Sequence, residues 1–531
     1  MRKDKSSIPS RLICALVASV VTAMAMPASA QTIPSLTRPQ LVIGITVEGL
    51  DDDHLRLLNH LFTNDGFRRL MREGVTFENV DYGPQVDATA ATAILFTGAA
   101  PTVNGITSGT VYNPITRQQR SSFFNTKENR LSPSSILVST LADEVRLDGG
   151  GTGFVYSLSA NPEEALILAG HAGNSAYWID DVSGRWTTTQ YYNDTPQPIT
   201  GRNFSNPLTA RIDTMEWKPM LPPSQYPDVS VSRKNRPFDH RFLHTDPNLY
   251  KAFKSSPRGN QEITEVAEEY LTQMTLGKRG VMDMLNLSYS VAPYAYAKDD
   301  DTRFEMFDSY LRLDRDLERL FKLADNQVGR ENLVIFLVGT PAPSSGRRPE
   351  ERWQIPQGQF SGRKASSLLN MYLMALHGNG EWVSGQHARN FYLNHDLIKE
   401  RQLDLSDVRA EAAEFLTRMS GVSTVYTVDD IIASRAGDDP AAMKRNVSVT
   451  TSGDVIVEIN PGWELIDDDM DGFTLSPTRH AANISSAYIF APGVSPEKIK
   501  VPTDARVIAP TVARLLRIRS PNAASLPPHR L

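Results

Sequence analysis

Acidic residues supply most of the side chains that could do chemistry. The segment DDDMDG places Asp467, Asp469 and Asp471 at the first, third and fifth positions of a calcium-binding loop, with Gly472 at the sixth. The twelfth position, where such a loop needs a bidentate carboxylate, is Thr478, which cannot supply one. We therefore interpret the segment as a solvated acidic turn, with a Ca²⁺ site as the alternative.

Three further carboxylates could meet once the chain folds. Glu48 ends an apolar run, Asp87 precedes a segment of helix-forming residues, and residues 299–301 are all aspartate. A cluster drawn from these positions could hold a hard cation such as Mg²⁺. Three carboxylates without cationic or nucleophilic partners make a poor site for phosphoryl transfer. Acidic residues at a helix start are the simpler interpretation of residues 299–301.

Histidine is absent from a long central part of the chain. His244 and His377 are separated by 132 residues that contain no other histidine, and the only cysteine, Cys14, lies near the N-terminus. Zinc in proteins is held mainly by imidazole and thiolate groups at short distance. The central part of the chain therefore offers none of the ligands that zinc prefers.

The hydrophobic pattern predicts the elements that would position these residues. The run LVIGITV, residues 41–47, is typical of a strand covered on both faces. Similar strand patterns alternate with helical ones along the chain, and this alternation predicts an α/β fold with a doubly wound, mostly parallel sheet and helices on both faces. The predicted strands cover residues 74–83, 153–158, 282–290, 332–338 and 487–490, and the predicted helices 55–73, 87–101, 135–145, 162–169, 261–274, 304–323 and 509–516.

Two segments depart from this alternation. Residues 176–258 are rich in proline, asparagine and aromatic residues, which predicts a cap insertion. Residues 345–480 mix strands with amphipathic helices such as 405–419, which predicts a smaller α+β lobe. The aromatic residues of the cap could form a recognition surface, although packing between cap and sheet is the simpler use. They include Trp186, Tyr191, Tyr192 and Trp217.

Residues 1–30 have the pattern of a secretory signal peptide. Basic residues precede an apolar run over residues 12–25, and Ala28-Ser29-Ala30 matches a small-x-small cleavage site. We expect residues 31–531 to cross the inner membrane and to be periplasmic or associated with the cell envelope, without the run of about 20 apolar residues that a transmembrane helix needs. Without the leader the formal net charge changes from −6 to −9, which argues against nucleic acid as a partner.

Seven segments stand in a fixed order over residues 38–521. They read RPQLVIGITVEGL, GFRRLMREGVTFENVDYG, TAILFTGAAPTVNGI, LILAGHAGNSAYWIDDVSGRWTTTQYY, SSPRGNQEITEVAEEYL, YLRLDRDLERLF and VIAPTVARLLRI. Together they resemble the alkaline phosphatase and nucleotide pyrophosphatase/phosphodiesterase superfamily, nearest the phosphate-irrepressible alkaline phosphatases of envelope compartments. The resemblance implies a phosphoric ester hydrolase with two zinc ions about 4 Å apart. It also implies a Thr or Ser nucleophile at a helix start and metal ligands at the carboxyl ends of the strands.

The resemblance assigns the first half of the site to residues that depart from the family pattern. Glu48 stands where the family has a metal-binding aspartate, so a carboxylate is retained. The nucleophile position falls on Ala88, whose methyl group cannot attack phosphorus. Thr89 could replace it only if the helix start were rotated by about 100°. Gly109 stands where the family has an asparagine that contacts phosphate.

The remaining family positions are also changed. Ser159 and Asn161 replace a lysine and an arginine, and Glu163 and Glu164 follow, so two cations that would neutralise phosphate oxygens are lost. The second group of metal ligands, Asp and His on each of two strands, aligns with Pro293, Ala297, Thr340 and Pro341. The last family histidine aligns near Ser476, four residues before His480. His171 matches a histidine of the family scaffold, for which we expect a structural role.

We therefore expect an alkaline-phosphatase-like fold that has lost its di-zinc site and binds no zinc. Such a pseudoenzyme would have a binding or assembly role in the envelope, with a protein, a glycan or a phosphate-containing ligand as its partner. One alternative is a phosphomonoesterase or phosphodiesterase with a rearranged metal site that uses Thr89 and a hard ion. A structural subunit of an envelope complex is the other.

Overall fold

The structure is a computed structural model that describes residues 38–299, 301–342, 358–460, 463–466, 474–475 and 483–531. The predicted leader, residues 1–30, lies outside these ranges. So do Asp467, Asp469 and Asp471 of the acidic turn, and the segment from Ser476 to His480 that should hold the last family histidine.

Strands and helices alternate along the chain. The strands are β1 (Leu41–Glu48), β2 (Val75–Asp81), β3 (Thr110–Asn113), β4 (Gln118–Ser121), β5 (Phe124–Asn125), β6 (Arg130–Leu131), β7 (Val155–Ser159), β8 (Ser175–Ile179), β9 (Trp186–Thr187), β10 (Glu216–Trp217), β11 (His240–Arg241), β12 (Asp283–Ser290), β13 (Leu333–Thr340), β14 (Gly358–Ser361), β15 (Val383–His387), β16 (Asn390–Leu393), β17 (Val422–Thr427), β18 (Val455–Ile459), β19 (Trp463–Ile466), β20 (Thr474–Leu475), β21 (Ile484–Phe490), β22 (Glu497–Ile499) and β23 (Thr503–Asp504). The helices are α1 (Asp52–Leu58), α2 (Phe67–Glu73), α3 (Ala88–Thr97), α4 (Pro101–Asn104), α5 (Leu141–Asp148), α6 (Pro162–Ala169), α7 (Gln197–Thr200), α8 (Leu208–Arg211), α9 (Val231–Asn235), α10 (Leu249–Lys254), α11 (Pro257–Gln273), α12 (Arg303–Val328), α13 (Gly362–His377), α14 (His395–Glu400), α15 (Leu405–Thr417), α16 (Val428–Ala433) and α17 (Ile508–Leu516). Within the described ranges, each helix is too short or too polar to cross a bilayer.

One large sheet organises the molecule. Its strands lie in the order β22, β2, β21, β13, β1, β12, β7, β8 and β9, with β23 beside β2. Neighbouring strands are parallel from β13 through β1, β12 and β7 to β8, whereas β21 is antiparallel to both β13 and β2. This mostly parallel sheet confirms the predicted α/β fold class.

Apolar cores cover both faces of the sheet. On β1, Leu41, Ile43 and Ile45 belong to a cluster that includes residues of α1, α11 and α12. Val42 points to the other face and belongs to a cluster with residues of α3, α6 and α17. Because both faces are buried, successive residues of the strand are apolar instead of alternating with polar ones.

Residues 358–466 add a smaller sheet and its own core. Strands β15, β16, β18 and β17 are antiparallel neighbours in that order. Leu369 of α13 and Val408 of α15 pack in one apolar cluster with Phe391 and Val455 of this sheet. These elements lie within the predicted lobe, residues 345–480, and the short elements β9 to α9 lie within the predicted cap, residues 176–258. The bounds of both units stay predictions.

The helix predicted over residues 55–73 is wrong as a single element. The chain forms α1 and α2 instead, because Asp314 of α12 accepts hydrogen bonds from the backbone N–H groups of Thr63, at 2.6 Å, and Phe67, at 2.8 Å. These bonds occupy amides that a continuous helix would pair within itself. The apolar spacing continues across the break because both helices bury residues in the same core.

Candidate ligand-binding cleft

A cleft of about 510 Å³ opens where the parallel strands end. It is lined by Glu48 at the end of β1, by Pro341 after β13, by the first residues of α3 and by Glu163 and Glu164 of α6. The turn between β15 and β16, around Arg389, lines it as well. Open α/β sheets place their ligands outside the carboxyl ends of the strands, so this is the expected position for a binding site.

Glu48 reaches the cleft because a glycine follows it. Gly49 has a φ of +78°, and a Cβ at this position would lie 3.0 Å from the backbone of Ala292. Glycine alone adopts this conformation without strain. Burial raises the pKa of Glu48, the hydrogen bond from the Ser290 side chain opposes this shift, and the nearby charge of Asp87 adds to it.

Asp87 is the N-cap of α3, which confirms the predicted helix start. One carboxylate oxygen accepts a hydrogen bond from the backbone N–H of Ala90 at 2.8 Å. The other accepts from the Ser108 hydroxyl at 2.7 Å and from the Gly109 N–H at 2.8 Å. Both oxygens therefore hold the helix start against the following loop.

The hydroxyl nearest the family nucleophile position has a partner of its own. Ala88 is the first residue of α3 and lines the cleft with its methyl group. The next residue, Thr89, is 7% exposed and donates a hydrogen bond of 2.7 Å from Oγ1 to Oε1 of Glu164. A Cβ on Gly109 would lie 2.8 Å from the same Oγ1, so glycine leaves room for the threonine.

Two adjacent carboxyl groups of α6, Glu163 and Glu164, line the cleft. Burial raises the pKa of Glu163. Burial, and the charge of Glu163 after it, raise the pKa of Glu164 to about 8. A hydrogen bond from Ser121 and the charge of Lys254 oppose the shift at Glu163, but burial outweighs them. Asn161 lines the cleft two residues earlier and carries no charge.

The strand ends that should carry the second metal cluster hold no ligand side chain. Thr340 is the last residue of β13, lies beside Glu48 in the sheet register and is 2% exposed. Pro341 lines the cleft with a ring that has no donor atom for a metal. Pro293 follows β12, and Ala297 packs against the apolar core in a turn with Tyr294. These four positions therefore give Glu48 no imidazole or second carboxylate with which to share a metal ion.

The described residues do not fit two zinc ions. Nowhere in the described part of the chain do three or more His, Cys, Asp and Glu side chains form a group able to hold a metal ion. The imidazole that lines the cleft, His387, contacts Thr110 at 3.0 Å between Nε2 and Oγ1. A zinc centre needs three or four converging donors, mainly imidazoles and carboxylates.

Asp299 and Asp301 form ion pairs away from the cleft. Asp299 pairs with Arg233 at 3.4 Å, and Asp301 pairs with Arg303 at 2.7 Å. Neither aspartate is among the described residues that line the cleft. Neither of these two aspartates therefore joins Glu48 and Asp87 at the cleft, and Asp300 lies outside the described residues.

Sequence reasoning missed the contribution of the lobe to the cleft. Arg389, which is 8% exposed, pairs with Glu458 at 2.8 Å, and Gln85 donates a hydrogen bond to the same carboxylate. His387 comes from the end of β15. His387 and Arg389 are about 300 positions from Asp87 in the chain, and no local pattern connects them to it.

His171 has the structural role that its position suggested. Its Nδ1 lies 3.0 Å from Oδ2 of Asp143, and its Nε2 lies 2.9 Å from the carbonyl oxygen of Ile136. The hydrogen bond with Asp143 raises the pKa of His171. Both nitrogens are used within the scaffold, so this imidazole is not a ligand of the cleft.

Comparisons with known proteins agree with this fold. The chain is similar to alkaline phosphatase PhoV of Synechococcus elongatus, with 27% identity over 528 residues that cover 92% of each chain. It is similar to alkaline phosphatase PafA of Elizabethkingia meningoseptica, with 25% identity over 528 residues that cover 93% of this chain and 94% of the relative. The crystal structure of wild-type PafA superposes with a TM-score of 0.80 at 24% identity, over 92% of this chain and 98% of that one.

A family profile gives the assignment. The profile described as type I phosphodiesterase / nucleotide pyrophosphatase matches residues 42–483, most of the chain, including the strands and helices that line the cleft. Its members are phosphoric ester hydrolases. The chain therefore belongs to the type I phosphodiesterase / nucleotide pyrophosphatase family.

Proposed function

We propose that this chain keeps the family scaffold without the family reaction, as a non-catalytic protein of the cell envelope that uses its cleft to bind. The observation that carries the proposal is the composition of the cleft at the positions where chemistry would occur. Ala88 has no hydroxyl to attack phosphorus, and Pro341 has no donor atom for a metal. A fold can be retained while the site built on it changes, so membership of the family does not supply the activity.

The electrostatics of the cleft support the same proposal. A phosphate ester enters its site as an anion and is stabilised by metal ions, lysine, arginine or backbone N–H groups. Here Glu163 and Glu164 line the cleft with carboxyl groups instead of cations. The N–H of Gly109 already donates to Asp87. Envelope location follows from the predicted leader, residues 1–30, and is part of the proposal.

Metal analysis and ester hydrolysis test the proposal together. Purified protein would be assayed with an aryl phosphate and a bis-aryl phosphate, with Zn²⁺, Mg²⁺, Mn²⁺ or Ca²⁺ added in turn, and its bound metal would be measured by mass spectrometry. We expect no hydrolysis above the rate without enzyme, and zinc well below one ion per chain. Stoichiometric zinc together with turnover would contradict the proposal.

One contact favours a second candidate function, a hydrolase with a rearranged site. The Thr89 hydroxyl donates to Glu164 at 2.7 Å, and a carboxylate of raised pKa beside a hydroxyl is an arrangement that can activate a nucleophile. This candidate predicts Mg²⁺- or Mn²⁺-dependent cleavage of a phosphodiester that Thr89→Ala and Glu164→Gln both abolish. Thr272→Ala, at an exposed helix position, is the matched control and should leave such activity unchanged.

A further inference from the structure

We propose that the cleft binds a small organic ligand through a protonated primary or secondary amine, and that it excludes phosphate esters. The inference deepens the proposed binding function and rests on it. It is carried by the balance of hydrogen-bond donors and acceptors around the cleft.

The cleft is rich in carboxyl groups. Four carboxyl groups line the cleft, those of Glu48, Asp87, Glu163 and Glu164. Burial raises the pKa values of Glu48, Glu163 and Glu164, and the charge of Lys254 offsets only part of this effect at Glu163. An ammonium group placed among them would supply the missing positive charge and donate to their oxygens.

Three donors at the cleft already bond to acceptors of the protein. Arg389 is the only lysine or arginine among the described residues that line the cleft, and it pairs with Glu458 at 2.8 Å. The Thr89 hydroxyl donates to Glu164, and the Ser108 hydroxyl donates to Asp87. A ligand that needs donors from the protein, such as a phosphate, would have to break these bonds.

Asn446 provides an independent acceptor without a donor. This residue lines the cleft and is 3% exposed. Its Nδ2 donates to the carbonyl oxygens of Pro84, at 2.7 Å, and Tyr82, at 3.3 Å, which fixes the orientation of the amide. Its Oδ1 accepts no hydrogen bond in the described structure. A buried acceptor left without a donor costs stability, and an N–H group of a ligand would relieve that cost.

The size of the cleft and the spacing of its carboxylates favour an organic cation over a metal ion. The cavity of about 510 Å³ is within the range of small-molecule sites, and far larger than one coordinated ion requires. None of the carboxylates described here belongs to a group able to hold a metal ion. A flexible amine can reach carboxylates that are too far apart to share one metal.

Calorimetric titration at constant ionic strength tests the inference. The probes are putrescine and spermidine as amine donors, choline chloride as a cation without N–H groups, and inorganic phosphate as the anion. We expect at least one of the two amines to bind with a stoichiometry of one, choline to bind at least about tenfold more weakly because it cannot donate, and phosphate not to bind. Binding of neither amine at millimolar concentration, equal binding of choline, or preferred binding of phosphate would overturn the inference.

Two variants locate the binding in the cleft. Glu164→Gln keeps the size of the side chain and removes its charge, and should weaken the amine at least about tenfold, because it removes one partner of a desolvated charge pair. Asn161→Arg changes an exposed residue at the cleft, so that folding is not at risk, and should repel the amine to a similar extent. Glu414→Gln, an exposed acid on α15 paired with Arg418, is the matched control and should bind as the wild type does.

The outcomes separate this inference from the proposed function. Turnover of an aryl phosphate with bound zinc would remove the proposed function whatever the amine titration gives. If the protein neither hydrolyses the ester nor binds an amine, the proposed non-catalytic function stands and only the inference of an amine ligand is contradicted. Amine binding that Glu164→Gln and Asn161→Arg do not weaken would place the amine elsewhere and contradict the inference.

Discussion

Thr89 on α3 and Glu164 on α6 are joined by a hydrogen bond of 2.7 Å between Oγ1 and Oε1. The bond connects the first turns of two helices that begin at the same edge of the central sheet. The hydrogen bond therefore holds the two helix starts together at the wall of the cleft. Its contribution to the free energy of unfolding can be measured.

Replacing Thr89 by valine should lower the free energy of unfolding by about 1 to 2 kcal/mol, because Glu164 then loses its buried donor while the shape of the side chain is kept. Urea unfolding followed by circular dichroism measures the change. Thr272→Val, at an exposed position on α11, should change stability by less than about 0.5 kcal/mol. If the Thr89→Val protein is as stable as the wild type, the hydrogen bond makes no net contribution to the free energy of unfolding.

Restoring the hydroxyl at the family nucleophile position should not restore the reaction. Ala88→Thr places a hydroxyl at the first residue of α3, but Thr340 and Pro341 still offer no carboxylate and imidazole pair to hold a zinc ion. We expect hydrolysis of an aryl phosphate by this variant, with zinc added, to stay at the rate without enzyme. Measurable turnover after this single change would show that the metal site is still present.

The buried strands and capped helices could be predicted from sequence because their causes are local. Residues 41–47 are apolar throughout since both faces of β1 are covered, and Asp87 marks the start of α3 because its carboxylate caps the helix. The turn Asn64-Asp65-Gly66 between α1 and α2 has a local signal that the apolar spacing obscured, whereas its fixation by Asp314, about 250 positions away, has none.

The residues of the cleft also differ in whether the sequence predicts their role. The expectation that Ala88 occupies the family nucleophile position comes from the sequence once the family is recognised. The partnership of Thr89 with Glu164 and the arrival of Arg389 from the lobe depend on tertiary packing, for which the sequence carries no periodic or spacing signal.

Gly49 should be intolerant of a side chain because two separate costs apply there. Its φ of +78° disfavours any residue with a Cβ, and that Cβ would lie 3.0 Å from the backbone of Ala292. Gly151 has a φ of +80° but nothing within 4 Å of an added Cβ, so Gly151→Ala carries the backbone cost alone. We expect Gly151→Ala to lower the free energy of unfolding by about 1 kcal/mol and Gly49→Ala to lower it by about 2 kcal/mol or more. Equal effects would mean that the chain beside Ala292 moves aside freely.

The ion pair between His171 and Asp143 should stabilise the fold only in mildly acidic solution. The hydrogen bond with Asp143 raises the folded-state pKa of His171, so its contribution is complete below the unfolded-state pKa and is lost as the pH rises through the folded-state value. Burial opposes ionisation of Asp143, but hydrogen bonds from His171, Thr140 and Ala172 outweigh it and lower the pKa, so this contribution is lost as the pH falls through the folded-state value.

The difference in stability between wild type and His171→Gln should therefore be largest between the ordinary pKa values of aspartate and histidine, about 3.9 and 6.5, and should shrink above neutrality. Urea unfolding at a series of pH values measures this difference. His244→Gln is the matched control, since His244 and Asp213 form an exposed pair 2.8 Å apart that adds little to stability. A constant difference across the pH range would mean that His171 acts through its neutral form, because only a proton shared with Asp143 makes the contribution depend on pH.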